Sequence, residues 1–210
     1  MLKEEFLAKY GLSQNQLAKA IGISPNRITE SVNNRRRITA DTALRLSLYF
    51  GNSPEFWMNL QSHYDLKMAR NDLKPGDIFE EGAVRGAHSN RFRAISLRSN
   101  TMAEYVAKRD RNRCPTHPGE LLREDVIPAT GKTRSEIAAL LGISRQHLYD
   151  ILNERKPVSP TVAVRLGKLF GDGAGVWARM QSAYDTWNAE RELSDEIKKI
   201  PTQNEGGVKR

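Results

Sequence analysis

Shifted by 120 residues, the chain lies on itself without a gap. The stretch "IGISPNRITESVNNRRR", residues 21–37, falls on "LGISRQHLYDILNERKP", residues 141–157. About 20 of 69 positions agree between residues 2–70 and 122–190. The agreements include Gly11 with Gly131, Gly22 with Gly142, Asn33 with Asn153, Arg45 with Arg165 and Gly51 with Gly171. Trp57 falls on Trp177, Gln61 on Gln181, and Tyr64-Asp65 on Tyr184-Asp185. A gapless match with Gly, Trp and Phe in register means two copies of one domain. The spacing lies far outside the ~20–50 residues of stacked repeats, so each copy closes its own core.

Each copy reads as five short helices divided by turn signals. In the first, "LKEEFLAKY" is followed by "SQNQLAKAI", where Ser13 is placed to cap and Leu17, Ala18 and Ile21 recur at helical spacing. "GIS" then breaks the helix. Gly22 suits the positive φ of a sharp corner, Ser24 stands at the next cap and Pro25 at the first helical position. "PNRITESVNN" turns Ile28 and Val32 inward. "TADTALRLSLYFG" carries Ala43, Leu46 and Phe50 inward and stops at Gly51. The last helix is expected to stripe Phe56, Trp57, Leu60 and Tyr64 along one face. The second copy repeats the plan, with Thr133, Ser144 and Ser159 as caps, Leu148 and Leu152 inside, and a stripe of Trp177, Met180 and Tyr184.

Two helices joined by a short Gly-containing turn form a helix-turn-helix unit, whose second helix enters the major groove N-terminus first. An ordinary helical corner shares this outline, but its outer face would be rich in Lys and Glu. Here the outer letters are Pro25, Asn26, Arg27 and Thr29, and in the second copy Arg145, Gln146, His147 and Tyr149. Asn, Arg, Gln and His can hydrogen-bond base edges, so these eight residues are the candidate base readers. Candidate phosphate contacts flank them. They are Ser13, Gln14, Asn15, Arg35, Arg36 and Arg37 in the first copy, and Thr133, Arg134, Arg155 and Lys156 in the second.

Charge favours the same partner. The 210 residues carry a formal net charge of +8 and a pI of about 9.7. Residues 1–70 hold 10 Lys/Arg against 6 Asp/Glu, residues 71–113 hold 9 against 6, and residues 114–210 hold 14 against 13. A basic excess of this kind points to an anionic partner, nucleic acid first. Cys114 is the one cysteine, which excludes an internal disulfide and suits a reducing compartment. No nucleophile, acid/base pair or phosphate loop appears, so no enzyme activity is expected. The four histidines lack metal-ligand spacing, so no metal and no cofactor are expected. The acidic stretch "AERELSDEI", residues 189–197, reads as a solvated helix. No apolar run reaches the ~18 residues of a membrane span, and "MLKEEFLAKYG" is unlike a signal peptide. A cytoplasmic, bacterial-type protein without membrane contact is expected.

The second copy begins "CPTHPGELLREDVIPATGKTRSEIAALLGISRQHLYDILNERKPVSPTVAVRLGKLFG" and continues "VWARMQSAYDTWNAEREL". This resembles antitoxins of the HigA/VapI group, within the Xre/Cro-like helix-turn-helix class. The first copy, with "ADTALRL" and "FW-N-QS-YDL", resembles a second member. The resemblance covers roughly residues 2–70 and 114–195. It implies an all-α chain of two lambda-repressor-like five-helix domains, residues 1–70 and 114–195. The connector, 71–113, is polar and holds "KPGD" and "HSNRFR", so a flexible linker is expected between them, with a tail, 196–210, after the second. The resemblance implies binding to double-stranded operator DNA as an autorepressor, and neutralisation of a HigB/RelE-like, mRNA-cleaving toxin. A plain Xre-type repressor without a toxin partner is the alternative. The dimer that such proteins use could be a homodimer or an intramolecular pseudo-dimer of the two copies. The first copy lacks the "HPGE" element, and the second has "GDGAGVW" in place of "GNSPEFW". "MAEYVAKRDRNRCPTHPGE" looks like the start of a separate protein at Met102, as a fusion of two adjacent genes would leave it.

Overall fold

The computed structural model describes residues 2–73 and 113–202, so the linker expectation for 71–113 falls almost wholly outside the described residues. Every described element is helical. The chain divides into two compact units, Met1–Gln61 with Asp185–Arg210, and Ser62–Tyr184.

In the first unit, α1 (Leu2–Ala8) winds as a π-helix and buries Leu2 and Leu7. α2 (Gln14–Ala20) opens on a capping box. Ser13 Oγ accepts from the Gln16 N–H, and Gln16 Oε1 accepts from the Ser13 N–H. At the corner Gly22 takes φ +70°, a left-handed conformation that costs glycine no strain. α3 (Pro25–Val32) follows with Pro25 at its first position, although Ser24 makes no side-chain cap bond. α4 (Ala40–Phe50) is capped by Thr39 and ends in left-handed Gly51. α5 (Pro54–Asp72) starts in this unit. Leu17, Ile21, Ile28, Leu46 and Trp57 are fully buried at the centre.

The second unit rebuilds the same parts. α6 runs through Pro118–Leu121, Leu122–Val126 and Ile127–Ala129. α7 (Arg134–Leu140) has its own capping box, Thr133 with Glu136. α8 (Arg145–Leu152), α9 (Pro160–Phe170) and α10 (Ala174–Glu192) complete the plan. Side-chain bonds recur at matched positions. Trp57 Nε1–H donates to Asn52 Oδ1 at 2.7 Å, and Trp177 Nε1–H to Asp172 Oδ1 at 2.9 Å. The Ile38 N–H donates to Gln61 Oε1 at 3.0 Å, and the Val158 N–H to Gln181 Oε1 at 2.9 Å. Two sequences that agree at about 20 of 69 positions thus satisfy the same buried polar groups in the same way.

The expected stripe on the last helix needs correction. Phe56 and Tyr64 are exposed, at 39% and 46%. The buried positions are Trp57 and Met58, and then Leu66 and Ala69. Leu66 and Ala69 pack in the second unit's core with Leu122, Val126 and Ile127. The inward face therefore changes along α5, because its two halves serve different cores. In the second unit, the hydroxyls of Ser62 and Ser182, which are counterparts in the repeat, lie 3.1 Å apart.

The "HPGE" element has a structural role in the second unit. His117 is buried, caps α6 through Nδ1, which accepts from the Gly119 N–H at 3.0 Å, and meets the Tyr184 ring edge-on at 4.8 Å. A Cβ on Gly119 would stand 1.9 Å from the Ile151 carbonyl oxygen, so only glycine fits.

The "GDGAGVW" departure also has a physical cause. Where the first copy has Ser47, the second has Gly167, and the loop after α9 runs over it. A Cβ there would lie 2.2 Å from Ala174 N. In the first copy Ser47 instead donates its hydroxyl to the Leu44 carbonyl at 2.7 Å. Gly167→Ala must push backbone apart, and it is expected to destabilise the second unit by roughly 3 kcal/mol, the upper end of ordinary overpacking. Urea unfolding would measure this. A cost below about 0.5 kcal/mol would show that the loop yields freely.

The acidic stretch 189–197 is not one solvated helix. α10 ends at Glu192, and a separate turn, α11 (Ser194–Ile197), follows. In the first unit α11 lies against α4, and Ile200 packs on the core that holds Leu17 and Leu46. Among the described residues no helix is long and apolar enough to cross a membrane, and no group of His, Cys, Asp and Glu could hold a metal ion.

Candidate nucleic-acid interface

In each copy the corner before the candidate reading helix is tied by an arginine from the helix that follows it, Arg45 buried in the first copy and Arg165 half-buried in the second. Arg45 Nη1–H donates to the Ile21 carbonyl at 3.1 Å. Arg165 Nη1–H donates to the Leu141 carbonyl at 2.7 Å and to Gly142 at 2.6 Å. These carbonyls end the first helix of the motif and have no partner within it, so the guanidinium completes them and locks the turn. In the second copy Arg123 Nη1–H also caps the far end of α8, at the Leu152 carbonyl, 2.6 Å. Lys3 is its counterpart in the first copy.

On α3, Pro25 and Asn26 are exposed, while Arg27 and Thr29 are half-buried. On α8, Arg145, Gln146 and Tyr149 are exposed and His147 is half-buried. All eight candidate readers therefore reach the surface. Ser13, Asn15, Arg35, Arg36, Arg37, Thr133, Arg134, Arg155 and Lys156 are exposed as well, and Gln14 is half-buried. Ser13 and Thr133 are N-caps, and Thr133 Oγ1–H also donates to Glu136 Oε2 at 2.8 Å. The two bonds from Thr133, backbone first, hold the Glu136 carboxyl below the usual carboxylate range.

Several candidates are joined to one another. Thr29 Oγ1–H donates to Gln14 Oε1 at 2.8 Å, linking a candidate reader on α3 to a candidate phosphate contact on α2. Arg134 lies over the Tyr149 ring, 5.6 Å from its centroid, and makes the same link between α7 and α8. Carboxylates then hold the basic residues. Glu30 meets Arg36 at 3.4 Å, and its counterpart Asp150 meets Lys156 at 2.7 Å. Asp150 also accepts from Gln146 Nε2 at 2.8 Å, and Lys156 first, then Gln146, lowers its pKa. Arg27 Nη2 lies 2.5 Å from Asp41 Oδ2 and 3.0 Å from Thr39 Oγ1.

Sequence reasoning missed these carboxylates. Asp41 and Asp150 each hold a candidate reader, Arg27 and Gln146, but Asp41 comes from the next helix. No local spacing announces that contact. The repeat could have announced Glu30 and Asp150, since both copies place an acid six residues before a basic one.

The helix-turn-helix family model matches residues 2–57 and 122–171, just over half of the chain. Virulence-associated protein I of Dichelobacter nodosus is 56% identical over 78 residues, which span 37% of this chain and 72% of that protein. Antitoxin HigA-1 of Vibrio cholerae is 41% identical over 71 residues, spanning 34% and 67%. The Escherichia coli K12 protein YbaQ, described as an uncharacterized HTH-type transcriptional regulator, is 30% identical over 110 residues, spanning 52% and 82%. Among solved structures, Pseudomonas aeruginosa antitoxin HigA with the higBA promoter is 37% identical over 36% of this chain and 90% of that one, with a TM-score of 0.31. The chain belongs to the helix-turn-helix family, and within it to the HigA/VapI-type, Xre-like group, as two copies in tandem.

Proposed function

We propose that this chain is the antitoxin of a type II toxin–antitoxin pair. It binds its own operator as an autorepressor and neutralises a HigB/RelE-like, mRNA-cleaving toxin. The observation that carries the DNA-binding part is the composition of two surface-reaching helices, each tied at its corner by an arginine that caps the carbonyls ending the preceding helix. The likeness to Antitoxin HigA-1 supports the toxin partner. On this reading the protein is a binding protein and not an enzyme, and it works in the cytoplasm, where its DNA is. Residues 1–70 and 114–195 are its two DNA-binding modules, 71–113 the tether and 196–210 the tail.

Within each module Asn26, Arg27 and Thr29, or Arg145, Gln146, His147 and Tyr149, read base edges. The exposed residues around them hold phosphates. Arg27→Ala is then expected to cost ~1–3 kcal/mol on the selected operator and to relax specificity at one position. Arg36→Ala is expected to weaken all sequences alike and to reduce the salt slope by about one ion. Fluorescence anisotropy on specific and random duplexes, over a salt series, separates the two. Equal losses on both duplexes for both variants would reject the division into readers and phosphate contacts.

A second reading, a plain Xre-type repressor, draws on the likeness to the transcriptional regulator YbaQ. Co-purification with the product of the adjacent gene decides between them. A bound, ribosome-dependent ribonuclease favours the antitoxin, and a chain that purifies alone favours the plain repressor.

A further inference from the structure

Four alternating charges in the first unit connect the C-terminal segment to the reading helix. Glu196, on α11, pairs with Arg45 Nη2. Arg45 Nε–H donates to Asp41 Oδ1 at 2.6 Å. Asp41 turns its second oxygen to Arg27 Nη2 at 2.5 Å. Arg27 belongs to the face we assign to base reading. Burial works against the Arg45 charge, but Asp41 and Glu196 together outweigh it. Arg27 is therefore folded back on its own module. The posture is imperfect, because its buried Nε–H finds no protein acceptor.

The second copy lacks the arrangement. The counterparts of Arg27 and Asp41 are His147 and Thr161. Arg165, the counterpart of Arg45, is given over to two carbonyls and makes no ion pair among the described residues. The position 120 residues before Glu196 is Gly76, not an acid.

We propose that the C-terminal segment 194–200 is a brake on base reading by the first module, acting through Glu196, Arg45 and Asp41 to hold Arg27 away from DNA. With Glu196 in place, Arg45 has two counter-ions, and Asp41 can share its charge with Arg27. When the segment leaves, Arg45 keeps its corner carbonyl and draws Asp41 to itself. Arg27 is then released, and the DNA-facing side gains one positive charge. Glu196 on α11 thus tunes one half of a duplicated reader and leaves the other alone. Asp41 is a positioning residue in this scheme and Arg27 the group that touches DNA.

The proposal rests on Arg27 being a reader, and the test separates the two ideas. The full chain is measured by anisotropy on a duplex that it selects from a randomised pool. Glu196→Gln is expected to bind roughly two- to fivefold tighter, the worth of a partly exposed ion pair. Glu196→Lys should go further in the same direction. Glu192→Gln and Glu192→Lys are the matched charge controls at the exposed end of α10, and they should change affinity less. In an Arg27→Ala background, Glu196→Gln should lose its effect. Hydrogen exchange at residues 194–200 should rise in the Glu196 variants. Tightening by the Glu192 variants equal to that of the Glu196 variants would overturn the brake, and so would unchanged affinity for Glu196→Gln while Arg27→Ala remains costly. If Arg27→Ala alone costs nothing, the reader assignment has failed instead, and the brake falls with it.

Discussion

Trp57→Ala and Trp177→Ala are each expected to destabilise the protein by about 3–5 kcal/mol, the cost of emptying a large aromatic site in a packed core. Both indoles are fully buried. Trp57 stands 4.6 Å from the Phe6 ring, 5.3 Å from Phe56 and 6.0 Å from Phe50, centroid to centroid. Trp177 stands 6.2 Å from Phe170. Each also spends its N–H on the loop before its helix, at Asn52 or Asp172. Phenylalanine at either site keeps most of the apolar volume and loses that bond, so Trp57→Phe and Trp177→Phe should cost nearer ~1 kcal/mol from the bond itself. Denaturant unfolding followed by circular dichroism measures all four. A loss below about 1 kcal/mol for either alanine variant would show that the surrounding helices collapse onto the gap.

Much of this was legible because it is local. Ser13, Thr133 and Ser159 cap the helices that follow them, and each needs only a hydroxyl and an N–H three residues on. Gly22 and Gly142 sit at the corners with positive φ, as the "GIS" breaks required. The repeat made every such reading twice, so a chance match in one copy was checked by the other. What was not legible is non-local. Periodicity along α5 cannot say that Leu66 and Ala69 leave one core for another. The Arg45 bond to Ile21 spans 24 residues, and its pair with Glu196 spans 151. The acidic stretch looked solvated because charge is usually solvated, and Glu196 is indeed 61% exposed at its side chain while holding Arg45. The exposure of the candidate reading residues was legible, since it follows from the inward Ile28 and Leu148. The pose of Arg27 was not, because it is set by Asp41 from another helix.

Disabling one reading helix in the full chain is expected to lower operator affinity by 10²–10⁴, which is the gain from a second tethered site. The variant is Arg145→Ala with Gln146→Ala and His147→Ala. The duplicated motif carries different candidate readers in its two copies, which would suit an operator of two unlike half-sites bound by one chain as its own dimer. Half-sites of such operators lie ~34–36 Å apart. A coil as long as the connector, 43 residues, would have an r.m.s. span of roughly 33–39 Å, close to that spacing. The competing arrangement sets two chains, like module with like, on a palindrome. The two differ in stoichiometry, so footprinting with light scattering on the bound complex tells them apart. One chain covering two unequal half-sites, with the triple variant protecting only one of them, supports the internal dimer. Two chains on a perfect palindrome would rule it out, and the altered readers of the second copy would then serve a separate site.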